Sequence, residues 1–259
     1  MKTADFQKLI WHNYRKAGRS FPWRETTDPY RILVSEIMLQ QTQTDRVVPK
    51  YRSWLKKFST VKKLASASTA DVLKEWKGLG YNRRALNLKR AAEVVTKKYN
   101  GKLPQTLVEL DSLPGIGPYT AGAIMTFAFN EPAVFIETNI RTVFIHFFFK
   151  NSKEIHDKDI LSLIAKTLDT KNPREWYYAL MDYGAMLKKS GLRNNVKSKH
   201  YTKQSPFKGS NREVRSKILT YTLEHSTTKL SPTKLAALLS LPLKTVQKNL
   251  TTLKKEGFF

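Results

Sequence analysis

Two observations predict an all-α protein. Strand-like alternation is scarce, whereas apolar residues recur at helical spacing along most of the chain. Asp28-Pro29 and Ser231-Pro232 each set a capping side chain before a proline suited to a first helical position. The 259 residues are 41% hydrophobic, enough for one large core or two smaller ones without metals or crosslinks.

The chain has no cysteine, which excludes disulfides, thiolate zinc sites, cysteine nucleophiles and thiolate-bound iron–sulfur clusters. Five histidines, at positions 12, 146, 156, 200 and 225, are scattered and are read as structural or surface residues, so no metal site is expected. The N-terminus mixes Lys and Arg with its apolar residues and lacks a signal-peptide run, and no stretch approaches a membrane span. A soluble, cytoplasmic protein with no membrane partner is expected. The formal net charge of +25 points to a polyanion, with nucleic acid favoured over ribosomal association or an anionic membrane surface.

Asp28 as N-cap and Pro29 as first residue open a helix expected to run through YRILVSEIMLQQTQ. On it Leu33, Glu36, Ile37 and Gln40 fall at i, i+3, i+4 and i+7, so a carboxyl shares a stripe with aliphatic side chains. Such surroundings raise a carboxyl pKa and make Glu36 a candidate proton donor near neutral pH. A solvated Glu on an amphipathic helix is the plainer alternative. Gln40, Gln41 and Gln43 offer amides able to hydrogen-bond base edges.

In LPGIGPYTAGAI, from Leu113 to Ile124, a helix is expected to end, turn through Gly115-Ile116-Gly117, and restart at Pro118. Gly115 and Gly117 let backbone approach a phosphate closely, and the next helix presents free amides and its positive dipole end. The turn is thus a candidate grip on one phosphate, indifferent to sequence.

Residues 188–208 are polar and basic, as a linker or a DNA-hugging loop would be. From Lys188 to Phe259 sixteen Lys and Arg face three Glu, so over half of the excess charge sits in the last 72 residues. Beyond the linker, helices are expected at Arg212–Glu224, from Ser231-Pro232, and from Pro242 to about Lys255. In the third, Val246, Leu250 and Leu253 share a face. This resembles a small winged-helix module cut off where the wing begins, or else a three-helix cap on the main domain. The expected organisation is a domain over 1–190 with its hairpin at 113–119, a basic linker at 191–208, and a winged-helix-like DNA-contacting module over 209–259.

Phe21-Pro22-Trp23-Arg24, Asp28-Pro29-Tyr30, SEIMLQQTQ, GLGYNRRALNL and LPGIGPYTAGAI occur in the order seen in MutY-type adenine DNA glycosylases. The resemblance covers about residues 6–190. It implies a two-lobed helix–hairpin–helix glycosylase fold, of the superfamily shared with endonuclease III, and a base excision repair enzyme that removes adenine opposite 8-oxoguanine or guanine. It gives the catalytic acid to Glu36, protonating a base that leaves poorly when neutral, and sets Gln40, Gln41, Tyr81, Arg24 and Asn139 at the base pocket and intercalation site. The flipped base is expected in a pocket between two helical lobes. After the hairpin, bifunctional relatives carry a lysine that forms a Schiff base. Tyr119 stands there, and a phenol forms no imine, so a monofunctional hydrolase is expected with Tyr119 at the catalytic centre and beside the phosphate grip.

Three departures from that family stand out. Glu137 of Phe135-Ile136-Glu137-Thr138-Asn139-Ile140-Arg141 occupies the family's aspartate position, one methylene longer. It keeps the charge that stabilises an oxocarbenium-like sugar, with Asn139 expected to cap the next helix and orient it, and Arg141 expected at a phosphate. The four cluster cysteines that follow the stretch resembling ALMDYGAM are replaced by KKSGLRNNVKSKHYTKQ, so no iron–sulfur cofactor is expected. After Phe207 only the short helical tail is expected, and not the domain that reads 8-oxoguanine in many relatives. The expected partner is double-stranded DNA with mismatched or oxidised pairs, met by a nucleoid-associated monomer. A thymine or uracil mismatch glycosylase of the same fold and a non-catalytic DNA-binding protein are the alternatives.

Overall fold

The computed structural model describes residues 1–225 and 231–259. Fourteen α-helices account for nearly all regular structure among them, with no strand beyond a single bridge pairing Ile155 and Ser198. The all-α expectation is borne out. The chain divides into two compact units, each built from two stretches of sequence: residues 1–36 with 103–202, and residues 37–102 with 203–259.

The first unit holds α1 (Thr3–Ala17), the first two turns of α2 (Pro29–Leu39), α7 (Leu107–Asp111), α8 (Pro118–Phe129), α9 (Thr138–Phe148), α10 (Asp157–Thr167) and α11 (Pro173–Lys189). Its core is aromatic. Phe6 of α1 meets Phe144, Phe147, Phe148 and Trp176 at ring separations of 5.1–6.0 Å, mostly edge to face. Tyr177 stacks on Phe135 at 3.9 Å and donates its hydroxyl to the Ala133 carbonyl at 2.7 Å, so the buried phenol is satisfied. α11 also approaches the backbone of α9 closely. A Cβ at Gly184 would overlap the Asn139 carbonyl, so only glycine lets the start of α9 lie this near α11.

The second unit holds the last turn of α2, then α3 (Thr44–Lys57), α4 (Val61–Ser66), α5 (Thr69–Trp76) and α6 (Arg83–Lys98), and then α12 (Asn211–Glu224), α13 (Pro232–Leu239) and α14 (Leu243–Glu256). Trp54 packs edge to face on Trp76 at 5.5 Å and on Phe58 at 4.9 Å. The three C-terminal helices form close to the expected bounds. Ser231 accepts from the Lys234 amide as the sequence predicts, Ser210 caps α12 by accepting from the Glu213 amide, and α14 starts after Pro242 without a side-chain cap. Val246 and Leu253 are buried, while Lys244, Lys248, Lys254 and Lys255 are exposed. Gly257, at φ 85°, ends α14 and turns Phe258 inward.

α2 departs from expectation. It stops at Leu39 rather than running through Gln43, and Gln41 adopts φ 55°. No glycine or proline ends it. Arg84 does so from α6, donating to the carbonyls of Ile37 at 2.8 Å, Met38 at 3.0 Å and Gln40. A guanidinium with five donors thereby satisfies helix-end carbonyls that the chain would otherwise cover by continuing the helix.

Candidate active site

Three residues that the sequence singled out converge in the first unit. Glu36, only 5% exposed, lies on α2 beside Leu33, which is fully buried. Asp28 starts the helix as expected, accepting from the amides of Tyr30 at 2.8 Å and Arg31 at 3.2 Å. Tyr119, second residue of α8, donates its hydroxyl to Glu36 Oε2 at 2.6 Å. Burial pushes the Glu36 carboxyl up to about 7; the Tyr119 hydrogen bond opposes this, the nearby charge of Glu137 adds to it, and Arg24 offsets part of it. Tyr119 itself is raised well above the ordinary phenol range, by burial first and then by the charges of Glu36 and Glu137. The two carboxyls and the phenol therefore share one electrostatic environment, with a proton available on Glu36 near neutral pH.

Glu137 is placed by α9. Its backbone is extended, and Oε1 accepts from the amides of Asn139 at 2.6 Å and Ile140 at 2.8 Å, so Glu137 is itself the cap of α9. The expectation that Asn139 caps this helix is corrected. Asn139 sits inside the first turn and donates Nδ2 to Glu137 Oε2 at 3.2 Å, which does orient the carboxylate. The longer side chain of glutamate thus folds back on its own helix, with the positive helix end beneath it. Burial raises its carboxyl above the ordinary range, opposed by the two amides and by Lys188 and Arg141.

Lys188 was not singled out by the sequence. It donates to Asn139 Oδ1 at 2.7 Å, which leaves Nδ2 as the edge facing Glu137. The segment after α11 is tied to the same place: Asn195 donates to the Thr138 carbonyl at 3.1 Å, and Ile155 and Lys199 pair backbone to backbone around the single bridge. Within the stretch expected as a linker, residues 194–197 therefore pack on α9, and Ser198 and Lys199 pair with Ile155.

Two expected DNA or base contacts have partners inside the protein. Arg24 is nearly buried and forks onto Asp182 at 2.8 and 2.9 Å, with Arg19 on the same carboxylate and the Tyr178 ring under its guanidinium at 4.4 Å. Arg141 forks onto Asp157 at 2.7 and 2.8 Å. Both arginines build the site rather than reach outward. Tyr119 likewise spends its hydroxyl on Glu36, which leaves a phosphate at this turn to backbone amides.

The hairpin runs from α7 through Ile116 to α8. Gly115 takes φ 78°, which favours glycine, whereas Gly117 is extended, and a Cβ built there meets nothing within 4 Å. Nothing inside the chain therefore requires glycine at 117, and its open face lies at the amino end of α8, where amides lack helical partners.

Gln40, Gln41 and Tyr81 belong to the second unit. Tyr81 is 38% exposed on the loop Gly78–Tyr81, where Gly78, Gly80 and Tyr81 all take positive φ. Arg84 fixes that loop too, donating to the carbonyls of Leu79 and Gly80 and to Thr42 Oγ1, each at 3.1 Å. Its burial lowers the guanidinium to about 10. One arginine thus joins the end of α2 to the Tyr81 loop, and the sequence GYNRRAL carries no local signal for which arginine does so.

A profile described as HhH-GPD superfamily base excision DNA repair protein matches residues 34–168, more than half of the chain. The chain belongs to the HhH-GPD superfamily of base excision DNA repair proteins. Within it, the chain is 37% identical over 192 residues to an adenine DNA glycosylase of Buchnera aphidicola, covering 72% of this chain and 54% of that protein. It is 37% identical over 186 residues to one of Mycobacterium tuberculosis, covering 70% and 60%. To the human adenine DNA glycosylase it is 33% identical, covering 68% and 34%. The chain thus spans about half the length of the curated relatives it matches. Among solved structures, a thermostable thymine-DNA glycosylase superposes with a TM-score of 0.66 at 29% identity, covering 71% of this chain and 86% of that one. A trapped endonuclease III–DNA covalent intermediate superposes at 0.62 with 17% identity, covering 80% and 91%, which shows the shared HhH-GPD fold.

Proposed function

We propose that this chain is a monofunctional DNA glycosylase of base excision repair, hydrolysing the N-glycosidic bond of adenine mispaired with 8-oxoguanine or guanine and leaving an abasic site. The observation that carries the reading is the buried Glu36 carboxyl, protonated near neutral pH, hydrogen-bonded to Tyr119 and electrostatically coupled to Glu137. In the proposed reaction Glu36 gives its proton to the departing base as the bond to the sugar breaks. Glu137, held by α9, stabilises the sugar cation, and water adds to it while its proton returns to the Glu36 carboxylate. With Tyr119 in place of an amine, no imine forms at that position.

The turn at Gly115–Gly117 holds a phosphate, Tyr81 inserts into the stack, Gln40 and Gln41 meet base edges, and the exposed lysines of α14 add sequence-independent attraction. The substrate is duplex DNA with mismatched or oxidised pairs. The enzyme acts as a monomer in the cytoplasm, at the nucleoid, and uses no iron–sulfur cluster, since the chain has no cysteine to hold one. No described helix is long and apolar enough to cross a membrane.

Likeness to a thymine-DNA glycosylase favours a second reading, excision of thymine or uracil opposite guanine. Duplexes carrying A:8-oxoG, A:G, T:G and U:G pairs, each incubated with enzyme and then cleaved at abasic sites with alkali, separate the two. Cleavage of the A-containing strands is expected; selective cleavage at T:G or U:G supports the second reading, and cleavage of none overturns both.

A further inference from the structure

Arg212, in the first turn of α12, reaches the tip of the Tyr81 loop within the second unit. Its Nη1 donates to the Tyr81 hydroxyl at 2.9 Å, and the guanidinium carbon lies 5.7 Å from the ring centroid. The same guanidinium is held from behind, Nη2 donating to the Ser205 carbonyl at 2.6 Å and facing that of Pro206 at 3.4 Å. Arg84 lies 5.6 Å from the same ring centroid.

Around this contact, cations before and after the loop fasten the C-terminal helices. Lys77 pairs with Glu224 at 2.5 Å. Arg83 and Arg215 share the Glu256 carboxylate, and Arg90 donates to the Glu256 carbonyl at 2.7 Å. Those ties link α12 and α14 to the residues flanking the loop. The Arg212 contact is different in kind, because it restrains a half-exposed aromatic side chain whose own backbone is in the uncommon left-handed region at φ 48°.

We propose that Arg212 is a positioning residue for Tyr81: the C-terminal helices, through this one guanidinium, hold the ring in the orientation in which it enters a base stack. The proposal rests on the reading of Tyr81 as the inserted residue. It assigns the C-terminal helices a part in everting the nucleotide, distinct from bulk attraction to phosphate and from the bond-breaking step. A free tyrosine on a glycine-rich loop samples several rotamers, and a ring held in one of them enters the stack more often.

The test uses the full chain as wild type, Arg212→Ala, Arg212→Lys, Tyr81→Phe and the Ala/Phe double variant. Single-turnover excision is followed on an A:8-oxoG duplex with 2-aminopurine beside the target, and on a duplex whose target adenine faces an abasic site, where pairing no longer resists eversion. Losing one charge-assisted hydrogen bond is expected to slow both excision and the 2-aminopurine rise on the paired duplex by on the order of tenfold. The effect on the unpaired target should stay under about twofold, since the eversion step it relieves is already favoured there.

Tyr81→Phe should match Arg212→Ala, the double variant should be no slower than either, and lysine should recover part of the rate. Equal losses on both substrates, additive losses in the double variant, or a wild-type fluorescence rise in Arg212→Ala each overturn the proposal. A wild-type enzyme that gives the fluorescence rise without excision sinks the proposed activity instead, and the variants remain comparable through fluorescence alone.

Discussion

Replacing Glu36 by glutamine should make the protein more stable in alkaline solution while removing its chemistry. Burial raises the Glu36 carboxyl from 4.5 to about 7. A raised carboxyl pKa means that the folded state binds the proton more tightly than the unfolded state does. The associated stability is present in full below about 4.5, declines between 4.5 and 7, and is gone above the folded value. At 1.36 kcal/mol per pKa unit, ionising Glu36 in its buried setting costs about 3 kcal/mol by pH 8. Glutamine has no charge to bury, and its carbonyl still accepts from Tyr119, so the variant escapes that cost. At 2–4 °C per kcal/mol for a chain of this size, the variant should melt roughly 6–12 °C higher at pH 8, with the gap closing toward pH 4.5. Thermal unfolding of both proteins across that range is the assay. A glutamine variant no more stable than wild type at pH 8, or a difference that does not change with pH, would refute the reasoning.

Tyr119→Phe removes the hydrogen bond that holds the Glu36 pKa down, so the alkaline limb of a pH–rate profile should move to higher pH; a shift the other way contradicts the assignment. Gly117→Ala should leave the melting temperature within about 1 °C, because a Cβ there meets no atom of the chain. The same change should weaken duplex binding by on the order of tenfold in a fluorescence titration, since the methyl group occupies the space a phosphate needs. Asp182→Asn uncouples a carboxylate from two arginines in a nearly buried setting and should destabilise by about 3–5 kcal/mol in urea titrations, a loss that a surface ion pair would not show.

Much of the site was legible before any coordinates. The stripe of Leu33, Glu36 and Ile37 put a carboxyl on an apolar face, and Asp28-Pro29 fixed where that helix begins. Both are local patterns with one physical solution. What the chain could not reveal locally are interactions between distant segments. Arg84 ends α2 from more than forty residues away, and nothing in QQTQ marks a stop. Asp182 holds Arg24 across 158 residues, a pairing of the guanidinium inside the protein that no local pattern announces. Glu137 also escaped a residue-level reading: aspartate and asparagine are the usual caps, and a glutamate that curls back onto the amides of Asn139 and Ile140 looks in sequence like a group free to point elsewhere. Gly184 had a reason that only packing shows, the carbonyl of Asn139 against α11.

The most direct measurement is the single-turnover rate of adenine release from an A:8-oxoG duplex between pH 5.5 and 9, for wild type and Glu36→Gln together. A wild-type rate that falls about tenfold per unit above pH 7, beside a glutamine variant that binds the duplex and releases no base, is the predicted result. A rate that stays level through pH 9, or base release by the glutamine variant, contradicts the assignment of the proton to Glu36.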